Sequence, residues 1–314
     1  MPRRNSCGLT IIILRTLALA GFAATLCALG VTVSLCVYAF NINIKEHRDR
    51  EIPTLQYLEL SGHRIEYCKH DPQRLPSPTI VFLHEGLGCV EMWRDFPQRV
   101  AEATGCGALV YSRAGYGNSG PIKLPRQITF MDDEALVTLP QVLDELDIRD
   151  AILLGHSDGG SIALIHASES RDERIRGLIL EAPHVFVEDI SVRSISEAAR
   201  NYENGPLKTR LERYHGTNVD CAFWGWNRVW LEPEFRSWNI EDCLPRIDIP
   251  VLVIQGEGDE YGTLEQVEAI QRGCAGEVRR VVFADCGHSP HRDQPERTLD
   301  AVTSFVRQLL RNPS

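Results

Sequence analysis

The chain has 314 residues, 43% of them hydrophobic and 24% charged, with a formal net charge of −10. No basic run longer than two or three residues interrupts that acidic balance, so nucleic acid is not an expected partner. Its ten cysteines contain no C-x-x-C pair, which argues against a zinc site and a disulfide framework and for reduced thiols, most of them buried.

Residues 1–15 form a short flank carrying Arg3, Arg4 and Arg15. Residues 16–40 follow without a single charge. As a helix rising about 1.5 Å per residue, such a run reaches roughly 37 Å and spans a bilayer with some tilt. The apolar stretch of a cleavable signal is usually only about 7–15 residues long, so an uncleaved transmembrane anchor is the expectation and a signal peptide the alternative. Orientation is close to a tie, with Lys45, Arg48 and Arg50 balancing the basic residues on the other side. Unpaired cysteines lean towards a cytoplasmic main domain. Residues 41–53 are polar and read as a linker.

Beyond the linker the pattern changes. Residues 55–60 and 64–68 read as two strands joined by Ser61-Gly62-His63, a hairpin. After Pro72, Pro76 and Pro78, residues 79–83 are a buried strand. A helix is predicted over 92–104, a strand over 108–111 and an amphipathic helix over 130–146. The strand 151–154 leads into a helix over 160–167. Strands over 176–180, 251–255 and 278–283 and a closing helix over 298–310 complete the set. Strands alternating with helices predict an α/β fold, with a largely parallel sheet covered by helices on both faces. Residues 183–243 break the rhythm, with no strand pattern, abundant charge and four of the five tryptophans. A connection of this length is too long for a loop, so a helical lid is predicted there. The core is then 54–182 with 244–314.

The most informative motif is Gly155-His156-Ser157-Asp158-Gly159. Placed between a strand and a helix, G-x-S-x-G holds its serine on a strained turn at a helix N-terminus, where a nucleophile is useful. Downstream, Gly256-Glu257-Gly258-Asp259 follows one strand and Gly287-His288 follows the last. An acid past a parallel strand points into the cleft above the sheet. The candidate catalytic residues are therefore Ser157, Asp259 and His288, with Glu257 and Glu260 as competing acids and His291 as a rival base. The backbone N–H of Asp158 and that of Gly86, in the turn His84-Glu85-Gly86-Leu87-Gly88, are the candidate oxyanion donors, with Leu87 second. Glu85, Leu87, Trp224 and Trp226 are candidate substrate contacts. Arg113, in Ser112-Arg113-Ala114-Gly115-Tyr116-Gly117, is expected to pair with a carboxylate.

The order of Leu83-His84-Glu85-Gly86, the Ser112–Gly117 motif, the serine motif, Gly256–Asp259 and Gly287-His288 resembles the α/β-hydrolase superfamily over about residues 55–311. Within it, the chain is similar to capped bacterial hydrolases, among them the meta-cleavage-product carbon–carbon hydrolases and related esterases and lactonases. The resemblance implies a serine hydrolase with a small, partly apolar substrate and neither metal nor organic cofactor. It leaves three readings open: cleavage of a small ester, thioester or lactone; cleavage of a carbon–carbon bond beside a ketone; and a non-catalytic ligand receptor. Where many relatives have His-Gly, this chain has His84-Glu85. The carboxylate is expected to point away from the oxyanion, or to touch a polar substrate group.

Overall fold

The computed structural model describes residues 55–73 and 75–311. The expected flank, anchor and linker lie outside the described residues. Among the described residues, no helix is long and apolar enough to cross a membrane.

Eight strands form one sheet in the order β1-β2-β4-β3-β5-β6-β7-β8. The hairpin β1 (Gln56–Leu60) and β2 (His63–His70) pairs antiparallel, and β2 continues antiparallel onto β4 (Gly107–Tyr111). All remaining pairs are parallel: β3 (Thr79–Leu83), β4, β5 (Ala151–His156), β6 (Ile175–Glu181), β7 (Val251–Gly256) and β8 (Val278–Phe283). The central strands β3, β4, β5 and β7 are buried at every residue, because helices cover both faces. Alternation along each strand separates two cores. Val81, Leu83, Leu153 and Val253 face one, and Ile80, Phe82, Leu154 and Ile254 face the other.

The second core is closed by α1 (Phe96–Thr104) and the C-terminal helix (Pro295–Arg311). The latter inserts Ala301, Val302, Phe305 and Val306, the i, i+1, i+4, i+5 spacing of an amphipathic stripe. Burying Phe305 alone contributes about 1.5–3 kcal/mol, so a charge at the neighbouring Val302 would unseat the helix. The first core is closed by α2 (residues 130–145), α3 (Asp158–Glu169) and a helix over Leu264–Gly273.

Three local features differ from the sequence expectation. The helix expected over 92–104 is divided into a 3₁₀ turn, Val90–Trp93, and α1, because Pro97 is tolerated only in a first helical turn. Helix α2 contains a π-turn at Glu134–Thr138, just before Pro140, whose missing N–H an unbroken α-helix could not accommodate. The helix Leu264–Gly273 was not predicted. Thr263 caps it, accepting from the Glu265 N–H at 3.2 Å, and Leu264, Val267 and Ile270 carry its helical period.

The connection from β6 to β7 holds three α-helices, Asp189–Asn204, Leu207–His215 and Val219–Trp230, followed by 3₁₀ turns at Pro233–Ser237 and Glu241–Arg246. Gln266 ties its start to the sheet domain, accepting from the Val185 N–H and donating to the Phe186 carbonyl. The seven described cysteines are all unpaired, and five of them are buried.

Candidate active site

Strand register gathers the functional turns. Leu83 lies opposite Gly155, His156 opposite Glu181, and Gly256 opposite Phe283, so the turns after β3, β5, β6, β7 and β8 open on one edge of the sheet. Ser157 occupies the turn after β5 with φ 53° and ψ −118°, a conformation an L-residue adopts at a cost of about 1–3 kcal/mol. The turn survives because β5 and α3 hold both of its ends. Gly159 passes so near the Leu83 and His84 carbonyls that a Cβ there would collide with backbone.

Ser157, His288 and Asp259 form one hydrogen-bonded line. Ser157 Oγ is 2.9 Å from His288 Nε2, and His288 Nδ1 is 2.8 and 2.9 Å from the two carboxylate oxygens of Asp259. Because Asp259 only accepts, Nδ1 carries the hydrogen and Nε2 is left to accept from the serine. The Asp259 carboxylate is held still by the Tyr261 N–H at 2.8 Å and the Gln255 amide at 2.7 Å. Burial opposes its ionisation, but the charge and hydrogen bond of His288, with the Tyr261 N–H, outweigh burial and hold the carboxyl below its usual range.

The competing residues have other partners. Glu257 is exposed, and Glu260 accepts from the backbone N–H of His288 at 3.3 Å. His291 is bonded to Glu181 at 2.7 Å. The His288 loop is further fixed by Gly287, whose N–H donates to Asp293 at 2.8 Å.

On the other side of Ser157 lies the turn after β3. His84 donates from Nδ1 to the Glu85 carbonyl at 2.7 Å and accepts at Nε2 from the Arg113 N–H. Burial, then the Arg113 charge, hold His84 neutral, well below the ordinary histidine range. Arg113 corrects the sequence expectation. Among the described residues its guanidinium pairs with no carboxylate; it donates to the carbonyls of His84 at 2.6 Å and Glu85 at 2.9 Å. With those carbonyls drawn to one side, the N–H of Gly86 has no protein acceptor among the described residues. The Asp158 N–H, first in α3, also lacks an intrahelical partner. The carboxyl of Asp158 is buried and accepts from Trp230 Nε1 at 3.1 Å; burial raises its pKa.

These groups border a cavity of about 530 Å³. Glu85, Gly86, Leu87, Ser157, Asp158, Trp226 and His288 all line it. Gly86 lies directly under the Trp226 indole, in space where a Cβ would clash with the ring. Trp224 is not on the cavity wall, contrary to the sequence expectation. Two residues along a helix turn about 200°, so Trp224 faces away from Trp226, onto Tyr202 and Phe223 and under Arg228. Trp230, one turn beyond Trp226, lines the cavity instead. Sequence reasoning also missed His184, Tyr261 and three arginines on the wall, Arg210, Arg213 and Arg292. The i, i+4 spacing from Trp226 could have found Trp230. Burial and the His288 charge lower the His184 pKa to about 3, leaving it neutral beside His288.

Residues 80–301 match the alpha/beta hydrolase family. A proline iminopeptidase of Lactobacillus delbrueckii subsp. bulgaricus is 27% identical over 291 residues, covering 81% of this chain and 97% of its own length. The 2-hydroxy-6-oxo-6-phenylhexa-2,4-dienoate hydrolase of Comamonas testosteroni is 23% identical over 256 residues, covering 73% and 88%. The crystal structure of a membrane phospholipase A, a bacterial virulence factor, aligns with a TM-score of 0.66 over 96% of this chain and 99% of that one. At 19% identity the last likeness is one of fold. The family match spans most of the chain and agrees with the eight-stranded sheet and its serine turn: this chain belongs to the alpha/beta hydrolase family and is a hydrolase.

Proposed function

We propose that the chain is a serine hydrolase that cleaves a small ester, thioester or lactone through an acyl-enzyme. The observation that carries this reading is the Asp259–His288–Ser157 line, at 2.8 and 2.9 Å, opening on a cavity. Ser157 Oγ attacks the carbonyl carbon while His288 Nε2 takes its proton. Negative charge collects on the carbonyl oxygen between the N–H groups of Gly86 and Asp158. His288 returns the proton to the leaving group, then activates water to release the acyl chain from Ser157. Asp259 holds His288 in the Nδ1–H tautomer and stabilises the imidazolium.

The β6–β7 helices act as the lid, and their Trp226, Trp230 and Leu211 give the substrate an apolar wall. The rim is basic. Arg210 and Arg213 lie one turn apart and Arg292 follows the base loop; none has an ion-pair partner among the described residues. Such a rim suits a substrate with an anionic group remote from the scissile carbonyl. A panel of p-nitrophenyl esters tests this, pairing simple acyl chains of increasing length with chains ending in a free carboxylate. The expected result is about tenfold preference for the carboxylate-tailed esters, lost in Arg210→Gln/Arg213→Gln. Equal rates for both series would remove the anionic group from the reading. The panel includes a proline anilide and a vinylogous diketone, because the Lactobacillus relative is a proline iminopeptidase and the Comamonas relative a 2-hydroxy-6-oxo-6-phenylhexa-2,4-dienoate hydrolase.

Residues 16–40 anchor the enzyme in a membrane, a reading supported by their 25 uncharged positions. Retention in the membrane fraction after alkaline extraction would support it, and release would sink it. The unpaired cysteines support a cytoplasmic catalytic domain. Labelling of those thiols in intact cells by an impermeant reagent would contradict that.

A further inference from the structure

Glu85, its side chain 16% exposed, is a polar group that the proposed chemistry leaves unused, and it stands in the turn meant to hold an oxyanion. Its carboxylate folds back into the space over Gly88 that a Cβ would fill. There Oε2 lies 3.6 Å from Nδ1 of His156, whose side chain is 1% exposed. On the far side of that ring, Nε2 is 2.6 Å from the backbone carbonyl of His288. A carbonyl only accepts, so Nε2 carries a hydrogen. If the ring were neutral, Nδ1 would direct a lone pair at a carboxylate. The imidazolium is the form that fits both contacts.

We propose that Glu85 and His156 form a carboxylate–imidazolium pair that positions the His288 loop and cancels the negative charge beside the oxyanion turn, so that loss of the His156 proton slows the enzyme. The proposal rests on the reading of Ser157 and His288 as the reacting pair. Glu85 and His156 are positioning residues, since they act through the residues that touch substrate. His156 directly precedes Ser157. It therefore joins three separate turns: the nucleophile's after β5, the base's after β8 and the oxyanion's after β3.

The surroundings of His156 agree with a charged ring. Glu85, backed by neutral His84, faces it from the turn after β3, and Glu181 faces it from the end of β6. His288 and His291 stand against it from beyond β8, and His184 from the start of the β6–β7 connection. Glu181 bonds His291 through Oε2 and makes no ion-pair contact with His156, whereas Glu85 does, at 3.6 Å. Burial, the largest influence, works against charge on His156. The Glu85 carboxylate 3.6 Å away, then the charge of Glu181 and the His288 carbonyl, outweigh burial and raise the pKa above 6.5. The same contact holds Glu85 well below the usual carboxylate range in spite of its own burial.

The sign of the pH effect follows. A folded pKa raised above the unfolded value of about 6.5 gives a contribution fully present below that pH and lost as pH climbs through the folded value. Above it Glu85 is a bare carboxylate next to Gly86, where the reaction needs donors.

The test is the pH profile of kcat/KM for a neutral p-nitrophenyl ester between about pH 6 and 9.5, for the full chain and Glu85→Gln. Glutamine keeps a donor for a neutral His156 Nδ1 and removes the charge. The wild type is expected to decline about fivefold or more on the alkaline side, and the variant to lack that decline, whatever its absolute rate. The same alkaline decline in both proteins would overturn the proposal. A second measurement does not need turnover: NMR titration of His156 in Ser157→Ala. A value above 6.5 that falls in Glu85→Gln/Ser157→Ala supports the pair; one at or below 6.5 overturns it. Absence of hydrolysis and of active-site labelling would instead defeat the serine-hydrolase reading, while the titration would still decide the ion pair.

Discussion

The edge of the sheet and the helices inserted between β6 and β7 both border the cavity, but they are built by different physics. At the edge, the candidate catalytic side chains are held by short hydrogen bonds, as Asp259 is by the Tyr261 N–H and the Gln255 amide. In the insertion, hydrogen bonds such as that of Trp230 Nε1 to Asp158 are joined by extensive ring-against-ring packing: Trp230 on Phe235, Trp226 on Phe223, Tyr202 stacked on Phe223 at 3.7 Å. Directional bonds fix a nucleophile to within tenths of an ångström. Apolar packing fixes a volume and tolerates repacking. The comparison predicts that substitutions at the edge destroy the rate, and that those in the insertion reshape what is accepted.

The largest effect is expected at the centre of the edge. Ser157→Ala and His288→Ala should each lower kcat by about 10⁴-fold or more with folding intact by circular dichroism. A loss under tenfold in either would break the comparison at its root. Asp259→Asn comes next. It preserves shape but can stabilise the wrong His288 tautomer, and a loss of about 10²–10⁴ in kcat is expected. In the insertion, Trp226→Ala should cost about tenfold in kcat/KM for long acyl chains, chiefly through KM, because it opens the wall above Gly86. Trp224→Ala is the smallest: activity within about twofold of wild type, with about 1–3 kcal/mol lost in denaturant unfolding. If Trp224→Ala altered chain-length preference as strongly as Trp226→Ala, the assignment of the two faces of Val219–Trp230 would be wrong.

The same division explains what could be read from the sequence. Strands Thr79–Leu83 and Val278–Phe283 match their sequence ranges to the residue; the first is a continuous buried apolar run, and in the second β-branched valines flank two arginines between turn residues. The three candidate catalytic residues were found by motif and chain order, and the fold brings them into hydrogen-bond reach. Trp224 was misplaced because a cluster of tryptophans does not reveal which helical face meets a cavity until the helix phase is fixed. The Leu264–Gly273 helix was missed although Thr263 and the Leu264, Val267, Ile270 spacing announce it. In sequence, Arg113 reads as the partner of a carboxylate. That its partners are carbonyls follows only from the meeting of the turns after β3 and β4. The Glu85–His156 contact is the least legible, since it needs residues 71 positions apart in the chain, and His156 reaches a carbonyl 132 positions further on.

The most direct test of the central claim is labelling of the purified chain with a fluorophosphonate probe, beside Ser157→Ala and His288→Ala. The account predicts stoichiometric labelling of the wild type that disappears in both variants. A folded wild type that takes no label, or a Ser157→Ala protein that labels as well as wild type, would contradict it.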